Sequence, residues 1–174
     1  LVKLTADVVE KEGYKVIYGD TDSIFVVSDA KSKADAKKEG DKIQKKVNSF
    51  YDKFTKKEYD RDNFMELEFE KTYIKFLMPK VRHGDAGAKK RYVGTLEKDN
   101  EIIMDFVGLE FVRRDWTEVS KKFQQELIER IFDGKNPDEY IRRFVNDLKS
   151  GKYDELLVYR KAIRKDLSEY TKTT

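Results

Sequence analysis

Two strand-like apolar runs, Val16-Ile17 and Ile24-Phe25-Val26-Val27, flank the six residues Tyr18-Gly19-Asp20-Thr21-Asp22-Ser23. β-branched and aromatic runs on either side of a short Gly/Asp/Thr/Ser segment specify a β-hairpin. Roughly Tyr14 to Val27 is therefore committed to antiparallel return, and its tip carries two carboxylates one residue apart. Carboxylates held close on a turn attract a hard divalent cation, because Mg²⁺ takes oxygen ligands and completes its shell from substrate phosphates. Asp is also a common turn former, so Asp-x-Asp by itself leaves a plain turn and a metal site both open.

The rest of the pattern is α+β. Leu1, Leu4 and Val8 share one helical face before Gly13. Ile43, Val47, Phe50, Tyr51 and Phe54 recur at helical spacing in a charged stretch from about Ser32 to Phe54, which predicts a long surface helix with one buried stripe. Residues 65–70 alternate Met-Glu-Leu-Glu-Phe-Glu, the pattern of a half-buried strand, and Tyr73 to Met78 reads as another. A loop from Pro79 to Ala88 follows, and then Arg91–Leu96 and Glu101–Val107 pair across Glu97-Lys98-Asp99-Asn100. Beyond Gly108 the pattern turns helical. Asp115 and Glu118 form a capping-box-like start, Val119, Phe123, Leu127 and Ile131 mark a buried face, and Gly134 ends it. Asn136-Pro137 opens a second helix with Ile141, Phe144, Val145 and Leu148 inward and Gly151 at its close. A short apolar run, residues 156–159, precedes a last helical stretch.

Cysteine is absent, which excludes disulfides and Cys-based zinc sites. Charged residues make up 41 % of the 174 but nearly cancel, leaving +3. Their distribution is more telling, because residues 71–92 hold Lys71, Lys75, Lys80, Arg82, Lys89, Lys90 and Arg91 against Asp85 alone. Such a local basic run is the footprint expected of a phosphate-binding surface. No apolar stretch approaches the ~20 residues that span a bilayer, and no signal-peptide pattern occurs. An intracellular location and no membrane partner are expected.

Three further segments stand in a telling order: Met65-Glu66-Leu67-Glu68-Phe69-Glu70, Lys89-Lys90-Arg91-Tyr92, and Gly108-Leu109-Glu110-Phe111-Val112-Arg113-Arg114-Asp115-Trp116. With the hairpin, they resemble the acidic strand, the KKRY-type motif and the palm-to-thumb segment of family B DNA polymerases, in the order and approximate spacing of the archaeal branch. The resemblance runs from Leu1 to about Tyr170. It implies an α+β fold, with an antiparallel palm-type sheet and packed helices followed by a mainly helical thumb. Residues 1–112 would be the carboxyl-terminal half of the palm and 113–174 a thumb incomplete at its end.

The resemblance also implies roles. Asp22 would be a direct ligand of two Mg²⁺ ions, shared with carboxylates that this chain does not supply. Asp20 would act through the field or through water, with Glu66 and Glu68 as accessory acids. Lys89, Lys90 and Arg91 would meet the backbone of primer–template DNA, as contacts that position without reading sequence. Tyr92 is open between a sugar or base contact and a core position. Arg113 and Arg114 would touch the duplex or brace the junction, and Trp116 would anchor packing. The string Asn48-Ser49-Phe50-Tyr51 resembles the family's fingers motif, but Gln44 and Asp52 stand where Lys and Gly belong, so Phe50 and Tyr51 are read as helix stripe.

The Asp-x-x-Ser-Leu-Tyr-Pro-Ser segment that carries the family's other metal-binding Asp does not occur in this sequence. The remaining palm, the fingers and an exonuclease domain are therefore expected elsewhere, on a partner polypeptide as in a split polymerase or in the rest of a longer chain. This chain would be part of a DNA-directed DNA polymerase, using deoxynucleoside triphosphates and inactive alone, in a prokaryotic, archaeal cytoplasm. The alternatives are a non-catalytic DNA-clamping subunit, or an Asp-x-Asp phosphatase or glycosyltransferase.

Overall fold

The hairpin that dominates the sequence forms as β1 (Lys15–Asp20) and β2 (Ser23–Val27), in register from Lys15↔Val27 to Asp20↔Ser23. The register shifts between Val16 and Tyr18, which leaves Ile17 as an unpaired bulge residue, 48 % exposed. Because β2 returns directly beside β1, the doubly wound arrangement of a haloacid-type phosphatase is excluded. The fold is α+β, with two small antiparallel sheets, β1-β2 and β3-β4-β5. These elements come from a computed structural model that describes residues 1–81, 87–160, 166 and 169. The chain divides into two compact units, Leu1–Ile74 with Leu96–Asn100, and Lys75–Thr95 with Glu101–Thr174.

In the first unit the hairpin rests on two helices, α1 (Val2–Lys11) and α2 (Lys33–Tyr59). Their shared core is Val9, Val47 and Tyr51, with Val16, Ile24 and Val26 of the hairpin packed against it. The buried face of α1 is Thr5 and Val9, not the predicted Leu1, Leu4 and Val8. Leu1 sits at the N-cap, outside the first turn, and is 62 % exposed, while Leu4 and Val8 are half-buried. Thr5 is accommodated because its hydroxyl shares a buried 2.6 Å hydrogen bond with the Tyr51 hydroxyl. Ser32 caps α2 by accepting from the Asp35 N–H. The helix runs past the expected Phe54 to Tyr59, where Asp60 takes a left-handed conformation (φ 49°).

The alternating segment 65–70 is not a strand. Its burial alternates as expected, with Leu67 and Phe69 half-buried and Glu66, Glu68 and Glu70 exposed, but no strand among the described residues completes a ladder with it. The partner is a stripe of α2 residues spaced by four. Asn48 donates Nδ2 to the Leu67 carbonyl (3.0 Å) and accepts from the Leu67 N–H (2.7 Å), while Gln44 Oε1 accepts from the Phe69 N–H (2.9 Å). One turn further, Gly40 leaves room for the Phe69 ring, which would lie 2.2 Å from a Cβ there. Asp52, at the other end of the stripe, accepts from Asn63 Nδ2 (3.0 Å). Side-chain amides thus satisfy backbone groups that a sheet would otherwise pair.

β3 (Lys75–Leu77) pairs with β4 (Tyr92–Lys98), and β4 with β5 (Glu101–Val107). β3 is shorter than the predicted residues 73–78. The β4–β5 connection is a two-residue turn at Asp99-Asn100, both with positive φ (51° and 65°), the signature of type I′. Val93 and Leu109 form a core with Ile128 of α3 (Glu118–Phe132). Val119, Tyr140 and Phe144 form another between α3 and α4 (Asp138–Lys149), where Phe144 stacks on Tyr153 at 4.7 Å. Ile131 and Val145, expected inward, are 40 % and 39 % exposed. Ile128 and Tyr140 take those inward places. Asp115 does not cap α3, because its carboxylate is held by the Arg113 guanidinium, and Thr117 occupies the cap position. Pro137 takes the N-cap position of α4, and Asn136, one residue before it, accepts from the Asp138 N–H at 2.9 Å. The helical stretch expected after Tyr159 lies outside the described residues, apart from two isolated positions.

The amide stripe makes a stability prediction. Asn48→Ala removes two hydrogen bonds from a half-buried backbone and should lower the free energy of unfolding by about 2 kcal/mol. Ser49→Ala, on the exposed neighbouring position, should stay within about 0.5 kcal/mol of the parent chain. Urea titrations of both variants measure the difference.

Candidate functional site

In the first unit, Asp20 ends β1 and Asp22 occupies the second position of the two-residue loop. Asp20 is half-buried and Asp22 exposed. The Asp20 carbonyl accepts from the Asp22 N–H at 2.7 Å and from Ser23 Oγ at 3.3 Å, so the loop is cinched back onto the end of β1. Between them, Thr21 has φ 53°. That region is uncommon for any residue except glycine and an outlier for a β-branched one.

Two carboxylates one residue apart offer hard oxygen donors, which suit Mg²⁺ as part of a ligand set completed by others. Among the described residues no group of three or more His, Cys, Asp or Glu side chains gathers to hold a metal ion. Glu66 and Glu68, offered by the sequence as accessory acids, therefore do not close such a group with Asp20 and Asp22. They lie on the exposed face of the segment docked to α2.

The basic run of residues 71–92 is divided by the structure. Lys71 belongs to the first unit, where it pairs with Glu70 (3.2 Å) and lies over the Tyr73 ring. Lys75 donates to the carbonyl of Phe132 at the end of α3. Arg82, His83 and Asp85 lie outside the described residues. Lys89 and Lys90 are exposed on a turn, whereas Arg91 forms an ion pair with Glu110. Tyr92 is half-buried at the start of β4 with its ring 5.4 Å from that of Phe76. Of the two arginines that follow, Arg113 is bidentate on Asp115 (2.9 and 2.6 Å) and Arg114 is exposed. Trp116, expected as an anchor, is 40 % exposed.

Sequence reasoning missed the residue that joins several of these groups. Glu110 receives Arg91 on one oxygen and Gln124 Nε2 (2.8 Å) on the other, and Gln124 Oε1 accepts from the Phe111 N–H (2.7 Å). Glu110 stood inside a motif string, but an amide on the first turns of a surface helix gives no signal that it will reach back.

With that geometry in place, comparison with known proteins is decisive. The family model for DNA polymerase family B matches residues 2–174. The chain belongs to DNA polymerase family B. DNA polymerase II of Escherichia coli (strain K12) is 42 % identical over 171 residues, covering 98 % of this chain and 22 % of that protein. The DNA polymerase of Thermococcus gorgonarius is 33 % identical over 172 residues, with 96 % and 19 % covered. That of Archaeoglobus fulgidus is 30 % identical over 174, with 97 % and 19 % covered. The chain thus spans about a fifth of the length of these relatives. The family resemblance in the sequence holds, and bacterial and archaeal members both match. Among the described residues no helix is long and apolar enough to cross a membrane.

Glu110 gives the second unit a pH-dependent contribution to stability. Burial pushes its carboxyl pKa up, but the Gln124 amide, its own backbone N–H and the Arg91 guanidinium together bring it below the ordinary value. A depressed carboxylate contributes stability above its unfolded pKa and loses it as pH falls through the folded one. Glu110→Gln should therefore be less stable than the parent at pH 7. The gap should narrow as pH falls below ~4.3. Urea unfolding of both proteins at pH 7, 5, 4 and 3 checks this. A gap that widens towards pH 3 would contradict it.

Proposed function

We propose that this chain is the part of a template-directed DNA polymerase that supplies the hairpin carboxylates and a grip on the primer–template duplex. The observation that carries the reading is the hairpin itself: two carboxylates on a cinched two-residue loop, in a chain that matches the family over residues 2–174. Residues 1–112 act as the carboxyl-terminal half of the palm and residues 113–174 as thumb. The remaining acidic ligand, the grip on the incoming deoxynucleoside triphosphate and any exonuclease come from the rest of the polymerase, on a second polypeptide in the split-subunit reading.

Asp22, exposed at the loop, would hold Mg²⁺ directly, while Asp20, half-buried at the strand end, would act through water or through its field. When bound, a pair of such ions stabilises the charge that develops as a primer 3′-hydroxyl attacks the α-phosphate. The chain's own contribution is to fix where the carboxylates stand, which the Asp20 carbonyl does by tying both Asp22 and Ser23. Lys89 and Lys90, exposed on their turn, meet the duplex backbone. Phosphate contacts of this kind set register without reading bases, as a polymerase that copies any template requires. Arg114 adds a cation on the thumb side, with Arg113 held by Asp115.

Primer extension tests the reading. The chain alone should not extend a primer, and adding a polypeptide with the other palm half and the fingers should restore synthesis. In that mixture Asp22→Asn should lower the rate at least ~100-fold, equivalent to about 2.7 kcal/mol of transition-state stabilisation, with duplex affinity little changed. Duplex binding with no restored extension would leave a DNA-clamping subunit. An unaffected rate in Asp22→Asn beside an abolished one in Asp20→Asn would exchange the two roles.

Duplex binding has its own signature. Each phosphate neutralised on duplex DNA steepens the fall of log affinity with log salt by ~0.9. Lys89 and Lys90 changed together to Ala should flatten that slope by about 1–2 units and weaken all duplex sequences alike. Titration of several primer–templates at four salt concentrations measures both. A loss confined to some sequences would mean base reading.

A further inference from the structure

Lys89-Lys90-Arg91-Tyr92 is one motif in sequence, but its cations face different partners. Ala88 to Arg91 form a β-turn, in which the Arg91 N–H donates to the Ala88 carbonyl at 3.4 Å. Lys90, third in the turn, has φ 57°, the place where a type II turn normally has Gly. Ala88 anchors the turn from below, 9 % exposed, with its N–H on the Pro79 carbonyl at 2.7 Å. The turn also abuts the end of β5. A Cβ on Gly108, itself at φ +61°, would lie 1.8 Å from the Lys90 carbonyl oxygen, so the two backbones touch where no side chain fits. Lys89 and Lys90 are exposed on the outer side of this arrangement.

Arg91 is the residue that leaves the turn towards the protein. Its guanidinium meets Glu110, whose side chain is only 17 % exposed. Glu110 is fixed in turn by Gln124 of α3, and the same Gln124 amide accepts from the Phe111 N–H. One chain of polar contacts therefore runs from the lysine turn through the segment after Gly108 and into α3.

We propose that Arg91 is a positioning residue, not a phosphate contact: through Glu110 and Gln124 it holds the Lys89-Lys90 turn in the orientation that meets the duplex. This rests on the reading of Lys89 and Lys90 as duplex contacts. The two assignments of Arg91 differ in sign at Glu110. If Arg91 touched phosphate, Glu110 would compete with the DNA for it, and removing that negative charge would tighten binding. If Arg91 acts through Glu110, removing the charge loosens the turn and weakens binding, although the protein has become more positive.

The test is a set of four proteins, the parent chain, Arg91→Gln, Glu110→Gln and the double variant. Each is titrated with a fluorescent primer–template at four salt concentrations and unfolded in urea. Each single change should weaken binding about fivefold, or about 1 kcal/mol. The double change should be no worse than either, and the salt slope should stay within about half a unit of the parent's. The urea midpoints should be non-additive in the same sense. Glu110→Asp, which keeps the charge and shortens its reach, should also weaken binding, and it stands in for Glu110→Gln should that protein not fold. Tighter binding in Glu110→Gln, a slope reduced by ~0.9 in Arg91→Gln, or parent-like binding in Glu110→Asp would each overturn the proposal. Additive urea effects would overturn it by removing the pair. Absence of duplex binding by the parent chain, with the urea coupling intact, would show that the duplex reading had failed and the proposal with it.

Discussion

The carboxylate tip is only as fixed as the small core beneath its hairpin. A two-stranded ribbon is at best marginal by itself in water. Val16, Ile24 and Val26 therefore have to find apolar neighbours outside the hairpin, and they do so on Val9 of α1 and Val47 and Tyr51 of α2. Val47 is completely buried, and Tyr51, 3 % exposed, brings its hydroxyl to the only polar side chain that α1 buries. One cluster joins both helices to both strands, so a change at Val47 would reach the tip although it lies far along the chain. Small polar residues at a tip, with position supplied by a rigid scaffold, are the arrangement that the proposed function asks of this loop.

The same economy governs the segment after α2. An extended stretch of alternating apolar and acidic residues needs its backbone satisfied, and a strand partner is the usual means. Here a helix provides it through side chains four residues apart, Gly40, Gln44, Asn48 and Asp52. The amides of Gln44 and Asn48 serve residues 67–69, and the missing Cβ of Gly40 makes space for Phe69. A glycine in a helix interior costs roughly 0.5–1 kcal/mol relative to Ala, so its use here is explained by the ring that lies on it. The string Asn48-Ser49-Phe50-Tyr51, which resembles a motif that grips nucleotides, is thereby accounted for as packing. Tyr51 points into the core and Asn48 holds Leu67.

What could be read from the residues follows from the range over which each interaction acts. The hairpin, the α2 stripe, the β4–β5 turn and the opening of α4 at Asn136-Pro137 depend on neighbours within a few positions, and periodicity and turn chemistry exposed them. The strand expected at residues 65–70 failed because alternation reports which side is buried, not what pairs with the backbone. Asp115 failed as a cap because Arg113, two residues away, offers a charged partner that outcompetes a backbone N–H. The Glu110 junction was invisible for a different reason. It joins Arg91, Glu110 and Gln124 across separations of 19 and 14 residues, and no local pattern marks such pairs. The carboxylates at Asp20 and Asp22 were legible as a pair, and among the described residues no third His, Cys, Asp or Glu side chain joins them in a metal-holding group.

Backbone conformation draws a last distinction between the candidate sites and the rest of the fold. Among the described residues, five that are not glycine have positive φ: Thr21, Asp60, Lys90, Asp99 and Asn100. Asp and Asn tolerate that region, because a short polar side chain can bond locally there. Their three positions are an α2 terminus and a type I′ turn, where such residues are routine. Thr21 and Lys90 have no such licence. Each is held by backbone contacts that leave little choice: Thr21 between Asp20 and Asp22, whose main chains are bonded across it, and Lys90 against Gly108. Strain of this kind costs of order 1–3 kcal/mol and persists only where the surroundings over-determine it. The two unlicensed positions are the carboxylate tip and the lysine turn, the two places that the polymerase reading requires to be stiff. A turn free to relax would place its charges over a range of positions, and an in-line displacement rewards placement to within a fraction of an ångström. The strain and the proposed chemistry therefore fall on the same two turns, one argued from steric limits on the backbone and the other from the charges that neighbouring side chains carry.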